Sequence, residues 1–284
     1  MSMENKNCLI TGATSGIGRI VARELAGRGA QVIVVGRNKE KSERTVKEIR
    51  EETGNTTVEY MLADLSLLKE VRTLADQVKS QYDSLDVLVN NAGAIFTTRD
   101  ETGEGLERTF ALNHLSYFLL TNLLLDLIID SAPARIINVA SNAHRGEQLD
   151  FDDLQHRKSY SPQKVYGESK LANILFTYEL ARRLEEEDVT VNAVHPGFVN
   201  SGFGKNNGKL MKAVMSFLHL FARSPDEGAK TVIYLATSPE VEETTGEYFF
   251  DDETVESSPA SYDRETALNL WEASMHLTGL ETTV

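Results

Sequence analysis

Tyr166 and Lys170 stand four residues apart in the string KVYGESKLANIL, at the start of an apolar run with helical spacing. Residues i and i+4 share a helix face, so the phenol and the ammonium can meet. A free phenol, with a pKa of about 10, is a poor acid–base catalyst near neutrality. An ammonium about 4 Å away, at an effective dielectric of about 20, favours the phenolate by up to ~4 kcal/mol. At about 1.36 kcal/mol per pKa unit this amounts to roughly three units, enough to approach neutral pH. Such a pair can give a proton to a carbonyl oxygen and take it back. An isolated Tyr-xxx-Lys is equally a snorkelling surface pair, so the rest of the chain decides.

A second signature opens the chain. TGATSGIG, Thr11–Gly18, follows the apolar run NCLI and leads into a helical pattern. Glycines let a backbone turn tightly and approach a ligand with no Cβ in the way. The helix N-terminus then offers unpaired N–H groups and a positive dipole end to a pyrophosphate. At the tip of the next strand, VVGRNKEK, no acid is present to bind a ribose 2′-hydroxyl, and Arg37 stands there instead. Its guanidinium suits a 2′-phosphate in charge and in fork geometry, so NADP(H) is expected ahead of NAD(H). Ser141 ends the apolar run ARIINVA, where ligands gather in open parallel sheets, and its hydroxyl could hold a substrate oxygen or cap a turn.

The elements that must position these groups alternate along the chain. NCLI, QVIVV, TVEYML, DVLVN, ARIINVA, VTVNAV and EYFF read as strands. Between them lie helical patterns over Ile17–Arg28 and Lys39–Glu52, a helix from Ser66, two helices across Glu104–Ile129, the Tyr166 helix and one from Pro225. The strands are continuous apolar runs, as burial on both faces requires. The alternation predicts an α/β fold, a doubly wound parallel sheet of about seven strands with helices on both faces. No Gly/Ser linker or repeat divides residues 1–284, which are read as one domain.

Composition removes several function classes. With 29 Lys and Arg against 43 Asp and Glu, the formal charge is −14, which argues against nucleic acid and anionic membrane partners. Cys8 is the only cysteine and sits in an apolar run, so no intrachain disulfide or thiolate cluster is expected. The six histidines show no paired-ligand spacing, so no metal site is expected. MSMENKNCLI does not read as a secretory signal. The most apolar run, LSYFLLTNLLLDLIID, is broken by Thr121, Asn122 and Asp126 and reads as a buried helix, not a transmembrane segment. A cytoplasmic location is expected.

The spacing Thr-Gly-xxx-Gly-x-Gly, followed in order by NNAG at Asn90–Gly93, Asn113 in FALNH, Ser141 in INVAS and YGESK, resembles the short-chain dehydrogenase/reductase family. The likeness covers essentially the whole chain and implies a single NAD(P)-binding Rossmann domain. By this resemblance Tyr166 is the acid–base group, and Lys170 also binds the nicotinamide ribose. Ser141 holds the substrate oxygen, and Asn113 anchors a water that relays protons. Thr11, Gly12, Thr14, Ser15, Gly16, Ile17 and Gly18 would cradle the cofactor, with Arg37 and Asn38 at the adenosine ribose. Asp64 and Leu65 would border the adenine, and Asp64 can alternatively cap the next helix. Asn91, Ala92 and Gly93 would line the adenosine side, and Pro196, Gly197 and Val199 of HPGFV the nicotinamide. Where members devoted to NADP often carry a second basic residue in the glycine loop, this chain has Ser15.

The strings LNHLSYFLLTNLLL, RIINVASNAH, SKLANILFTYELARRL and LWEASMHLTGL are most similar to the retinol dehydrogenase and WW-domain-oxidoreductase-like branch. The resemblance implies an oxidoreductase moving a hydride between NADP(H) and a small apolar aldehyde, ketone or alcohol, retinal-like in kind. Leu210, Val214, Phe217, Leu218 and Phe221 make one apolar helical face in a segment at about 200–224, matching the family's substrate lid. Homo-oligomers in the family often form through the Tyr166 helix, whose outer face is read here as Glu179, Arg182, Arg183 and Glu185–Glu187. Two other readings compete: a sugar-nucleotide epimerase or dehydratase, disfavoured by the glycine spacing, and a catalytically silent NAD(P)-sensing or scaffold protein. The intact Asn–Ser–Tyr–Lys set disfavours the latter.

Overall fold

Seven short apolar segments can bury both faces only inside a layered fold, and the computed structural model, which describes residues 2–197 and 223–280, has that form. The strands are β1 (Asn7–Thr11), β2 (Gln31–Gly36), β3 (Val58–Leu62), β4 (Val87–Asn90), β5 (Ala134–Val139), β6 (Val189–Val194), β7 (Tyr248–Phe250) and β8 (Glu253–Thr254). They form one sheet in the order β3-β2-β1-β4-β5-β6-β7-β8. The chain winds from β1 out to β3, then crosses back to β4 and winds the other way. The switch point therefore falls between β1 and β4, where Ile10 lies opposite Val89. β1 to β7 run parallel, as expected for about seven strands, and β8 adds an antiparallel edge. Asp251 and Asp252 make that hairpin with φ of 51° and 66°, the left-handed pair a tight two-residue turn requires.

Helices α1 (Gly16–Gly27), α2 (Lys39–Thr53) and α6 (Pro225–Thr237) pack one core against the sheet. Helices α3 (Leu68–Gln81), α4 (Arg108–Asp130), α5 (Pro162–Arg183) and α7 (Arg264–Thr278) pack the other. The two helices expected across Glu104–Ile129 are one. Glu107 starts α4 by accepting from the Thr109 and Phe110 amides at 2.9 and 2.7 Å, and residues Ala111–Leu115 form a π turn without ending the helix. α4 is long and apolar enough to cross a membrane by composition, yet 67% of its most apolar stretch is buried inside the fold.

The outer face assigned to the Tyr166 helix is also corrected. Glu179 is buried, with its carboxylate accepting from Arg182 and Arg183 at 2.9 Å each. α7 lies over this face. It buries Ala267, Leu270, Trp271, Ser274 and Thr278, set at helical spacing. Trp271 meets Phe118 of α4 at 4.9 Å and Phe176 of α5 at 5.9 Å between ring centroids. The chain's own C-terminal helix thus occupies part of the surface expected to pair with a second copy.

Candidate active site

At the switch point the loops after β1 and β4 must separate, and a cleft of about 1000 Å³ opens beyond the carboxyl ends of the strands. Thr11, the last residue of β1, holds its two walls together. Its hydroxyl accepts from the Asn91 and Ala92 amides at 2.8 and 3.0 Å, and Asn91 returns an amide bond to the Thr11 carbonyl at 2.7 Å. Gly12 has φ of 64°, and a Cβ there would lie 2.9 Å from the Ala92 Cα. Only glycine lets these loops approach so closely. Gly18 packs under the same turn, where a Cβ would come within 2.5 Å of Asn91 Nδ2.

Gly12, Thr14, Ser15, Gly16 and Ile17 line one part of the cleft. Ser15 makes no side-chain cap to α1, whose first turn also lacks acids, so its N–H groups and dipole stay open to an anion. Arg37, Asp64 and Leu65 line the far wall, joined by Lys41. Asp64 bonds the Ser66 amide and hydroxyl at 3.0 and 2.7 Å and is the turn cap that the sequence allowed, while still facing the cleft. Asn38 is outside the lining: its side chain accepts from the Lys41 amide at 2.8 Å and caps α2. Thr11 and Gly18 are likewise structural supports beneath the lining. Val199 and the apolar face Leu210–Phe221 lie outside the described residues.

At the other end, Ser141, Tyr166 and Lys170 converge, with Ala92, Gly93, Pro196 and Gly197 around them. Tyr166 and Lys170 sit one turn apart near the start of α5, as their spacing requires. The Ser141 hydroxyl lines the same end of the cleft as the Tyr166 phenol and accepts from the Ala143 amide at 3.2 Å. Lys170 Nζ donates to the Val139 carbonyl at 2.8 Å and lies 5.7 Å from the Tyr166 ring centroid. A Cβ on Gly93 would stand 3.5 Å from that Nζ and 3.3 Å from Asn113 Oδ1, so glycine keeps the floor between them open.

The expected acidification of the phenol does not hold for these residues alone. Burial pushes Tyr166 up to about 12, and the nearby Ser141 hydroxyl only opposes that push. Burial also pushes Lys170 down to about 7, so its ammonium is weakened by the same dry surroundings that would have strengthened its field. The phenol is protonated at neutral pH. Asn113 is fully buried and does not line the cleft. Its side chain accepts from the Ala94 amide at 2.9 Å and donates to the Ala94 carbonyl at 2.9 Å and to Ser169 Oγ at 3.0 Å. Ser169 in turn donates to the Tyr166 carbonyl at 2.7 Å. Asn113 therefore joins the β4 loop to the turn of α5 that carries Tyr166, and its π turn supplies the room.

A profile of the family described as short chain dehydrogenase matches residues 6–211. The chain belongs to the short-chain dehydrogenase family. It is 42% identical to human retinol dehydrogenase 14 over 294 residues, spanning 98% of this chain and 88% of that one. Human polyprenol dehydrogenase is 40% identical over 281 residues, spanning 96% and 84%. Among solved structures, an uncharacterised protein from Mycobacterium paratuberculosis matches with a TM-score of 0.80 and 32% identity, covering 100% of this chain and 97% of that one. A short-chain dehydrogenase from Burkholderia cenocepacia in complex with NADP matches with a TM-score of 0.70 and 26% identity, covering 88% and 97%.

This short-chain dehydrogenase is accordingly an oxidoreductase acting between CH–OH and C=O, of the retinol dehydrogenase-like branch, and its family binds NAD(P). The cleft fits such a cofactor on its own evidence: an uncapped helix end, glycines a Cβ would block, and basic side chains at one extremity. Sequence reasoning missed Lys41, which falls in the charged pattern KEKSER and shows its role only through the turn of α2. It also missed Ser169 and Asn173. Asn173 Nδ2 donates to the Asn113 carbonyl at 2.9 Å, a contact between elements 60 residues apart.

Proposed function

We propose that this protein is an NADP(H)-dependent reductase or dehydrogenase of apolar carbonyl and alcohol substrates. The observation that carries the proposal is one cleft with a Ser141–Tyr166–Lys170 cluster at one end and Arg37 with Lys41 at the other. When bound, the nicotinamide supplies or takes the hydride. Thr14, Ser15 and Gly16 would hold the pyrophosphate at the α1 N-terminus, Asp64 and Leu65 the adenine, and Pro196 and Gly197 the nicotinamide side. Tyr166, protonated at neutral pH, would give its proton to the carbonyl oxygen as the carbon is reduced, and solvent would restore it. Ser141 would hold that oxygen against the phenol. Lys170 would orient the cofactor ribose, and Asn113 would keep the two loops in register through Ala94 and Ser169.

Apolarity of the substrate is supported by Ile95, Phe96 and Leu112 in the cleft wall. Relatives named for retinol and polyprenol, both long apolar alcohols, support the same class. The test is NADPH oxidation with aldehydes of increasing chain length, retinal among them, and the reverse reaction with the alcohols. Turnover that rises with apolar length is the expected result. Tight NADPH binding without turnover on any carbonyl would instead favour a nucleotide-sensing protein.

The cofactor preference has its own test. Arg37 and Lys41 give a 2′-phosphate two cations and meet it with no opposing acid at the strand tip. Charge-assisted bonds of this kind contribute about 1.5–3 kcal/mol, so Arg37→Ala should weaken NADPH binding roughly tenfold to a hundredfold. NADH binding should be unchanged. A wild type that binds NADH as tightly as NADPH, or an Arg37→Ala variant whose NADPH affinity is unchanged, would remove the preference.

A further inference from the structure

His144 lies three residues beyond Ser141 and is fully buried. Its Nδ1 is 2.7 Å from the Ser141 carbonyl oxygen, which can only accept, so Nδ1 carries the hydrogen. Its Nε2 accepts from the Ser258 amide at 2.9 Å, so that nitrogen must be bare. Burial and the neighbouring Arg145 both disfavour the imidazolium, with the Ser141 carbonyl opposing them. The ring is thus neutral and held in one tautomer. It stands edge-on to Tyr248 at 5.2 Å, and Tyr248 stacks on cleft-lining His195 at 6.0 Å. On its far side the Ser257–Ser261 strap is anchored to α5, because the Tyr178 hydroxyl meets Ser257 Oγ at 2.8 Å. Ser257 Oγ also meets Ser261 Oγ at 2.6 Å.

The loop after β5 is therefore fastened, through one imidazole, to a strap riding on the same helix that carries Tyr166. We propose that His144 is a positioning residue that fixes the Ser141 loop so that its hydroxyl stays beside the Tyr166 phenol in the cleft. The proposal rests on the roles proposed above for Ser141 and Tyr166. It does not touch substrate or cofactor, and its effect passes entirely through the Ser141 carbonyl.

Two variants separate positioning from bulk. His144→Phe keeps a ring on Tyr248 but loses both hydrogen bonds. His144→Gln supplies an amide that can donate to Ser141 and accept from Ser258. Displacements of about 1 Å at a reacting group can cost on the order of a hundredfold in rate. His144→Phe is expected to lower kcat roughly tenfold to a hundredfold with NADPH affinity unchanged, and His144→Gln to recover most of that loss. A kcat in His144→Phe equal to the wild type overturns the proposal, and so does a parallel loss of cofactor affinity and stability that glutamine does not rescue. Crystal structures of both variants give a readout free of turnover. Ser141 Oγ should move away from the Tyr166 phenol in His144→Phe and keep its wild-type position in His144→Gln. An unmoved Ser141 in His144→Phe sinks the proposal. A displaced Ser141 in an enzyme without carbonyl turnover upholds it while overturning the proposed function.

Discussion

Tyr166→Phe is expected to lower turnover at least a hundredfold while changing NADPH affinity by no more than about twofold, the range for loss of a positioned general acid. The substitution removes one oxygen and keeps the ring, so the cleft wall and the packing of α5 are retained. What disappears is the only phenol that lines the cleft among the described residues, at the end opposite Arg37. The pH dependence follows from the direction of its shift. Burial pushes the phenol up to about 12, so the proton needed for carbonyl reduction is in place throughout the neutral range. Reduction should therefore show no phenol-linked change from about pH 6 to 9, any fall near pH 7 reporting Lys170 instead, whereas oxidation needs the phenolate and should climb with pH across the same interval. In Tyr166→Phe that climb should vanish. Steady-state rates in both directions, beside a fluorescence titration with NADPH, measure all of this. A fully active phenylalanine variant would remove Tyr166 from the reaction.

The winding of the sheet, the glycine turn and the order of the chemical residues were legible because each is local. A strand buried on both faces reads as an apolar run, and Thr-Gly-xxx-Gly-x-Gly needs only its neighbours to be recognised. The π turn at Ala111–Leu115 was not legible, since it depends on bonds from Asn113 to Ala94 and Ser169, which lie far away in sequence. α7 is amphipathic, but its partner face is built from Phe118 and Phe176 on two other helices. Glu179, read from its charge as surface, is buried because Arg182 and Arg183 satisfy both carboxylate oxygens one turn away. The phenol was misjudged for a related reason. Spacing places an ammonium on the right face, but it does not say how dry that face is.

That dryness is spread through the ground beneath the site, which is polar without being charged. Asn90 Nδ2 donates to Thr121 Oγ1 and to Asn138 Oδ1, each at 2.9 Å, and Asn138 donates to Thr177 Oγ1 at 3.0 Å. Thr177 donates to the Asn173 carbonyl at 2.7 Å, and Asn173 holds the Asn113 carbonyl. Amides and hydroxyls of this kind tie β4 and β5 to α4 and α5 at fixed heights, because each buried group left unpaired would cost about 1–3 kcal/mol. They also bring no counter-charge. Lys170, pushed toward its neutral form, sits among these uncharged groups, and the fold gives it a carbonyl where an ion pair would have held its charge.

Lys170→Met should consequently separate function from stability. Lysine ordinarily ionises near about 10.4. Burial takes Lys170 down to about 7, so between those values the unfolded chain binds a proton that the folded protein does not. Stability from this group therefore rises with pH over that window, and the penalty is complete below about pH 7 and gone above about pH 10.4. Roughly three units of displacement correspond to about 4 kcal/mol at neutral pH. Methionine removes that penalty but leaves the Val139 carbonyl without its donor, at a cost of about 1–3 kcal/mol. The variant should melt above the wild type at pH 7, lose that advantage as pH rises, and fall below it by about pH 10. Turnover should drop at least a hundredfold at every pH, because the amine that orients the cofactor ribose, charged or neutral, is gone. Thermal melts from pH 6.5 to 10 beside kcat/KM at each pH test both halves. A methionine variant less stable than the wild type at pH 7 would mean that Lys170 is solvated or paired in the folded protein, and that the neutral floor under the phenol is not as dry as its packing implies.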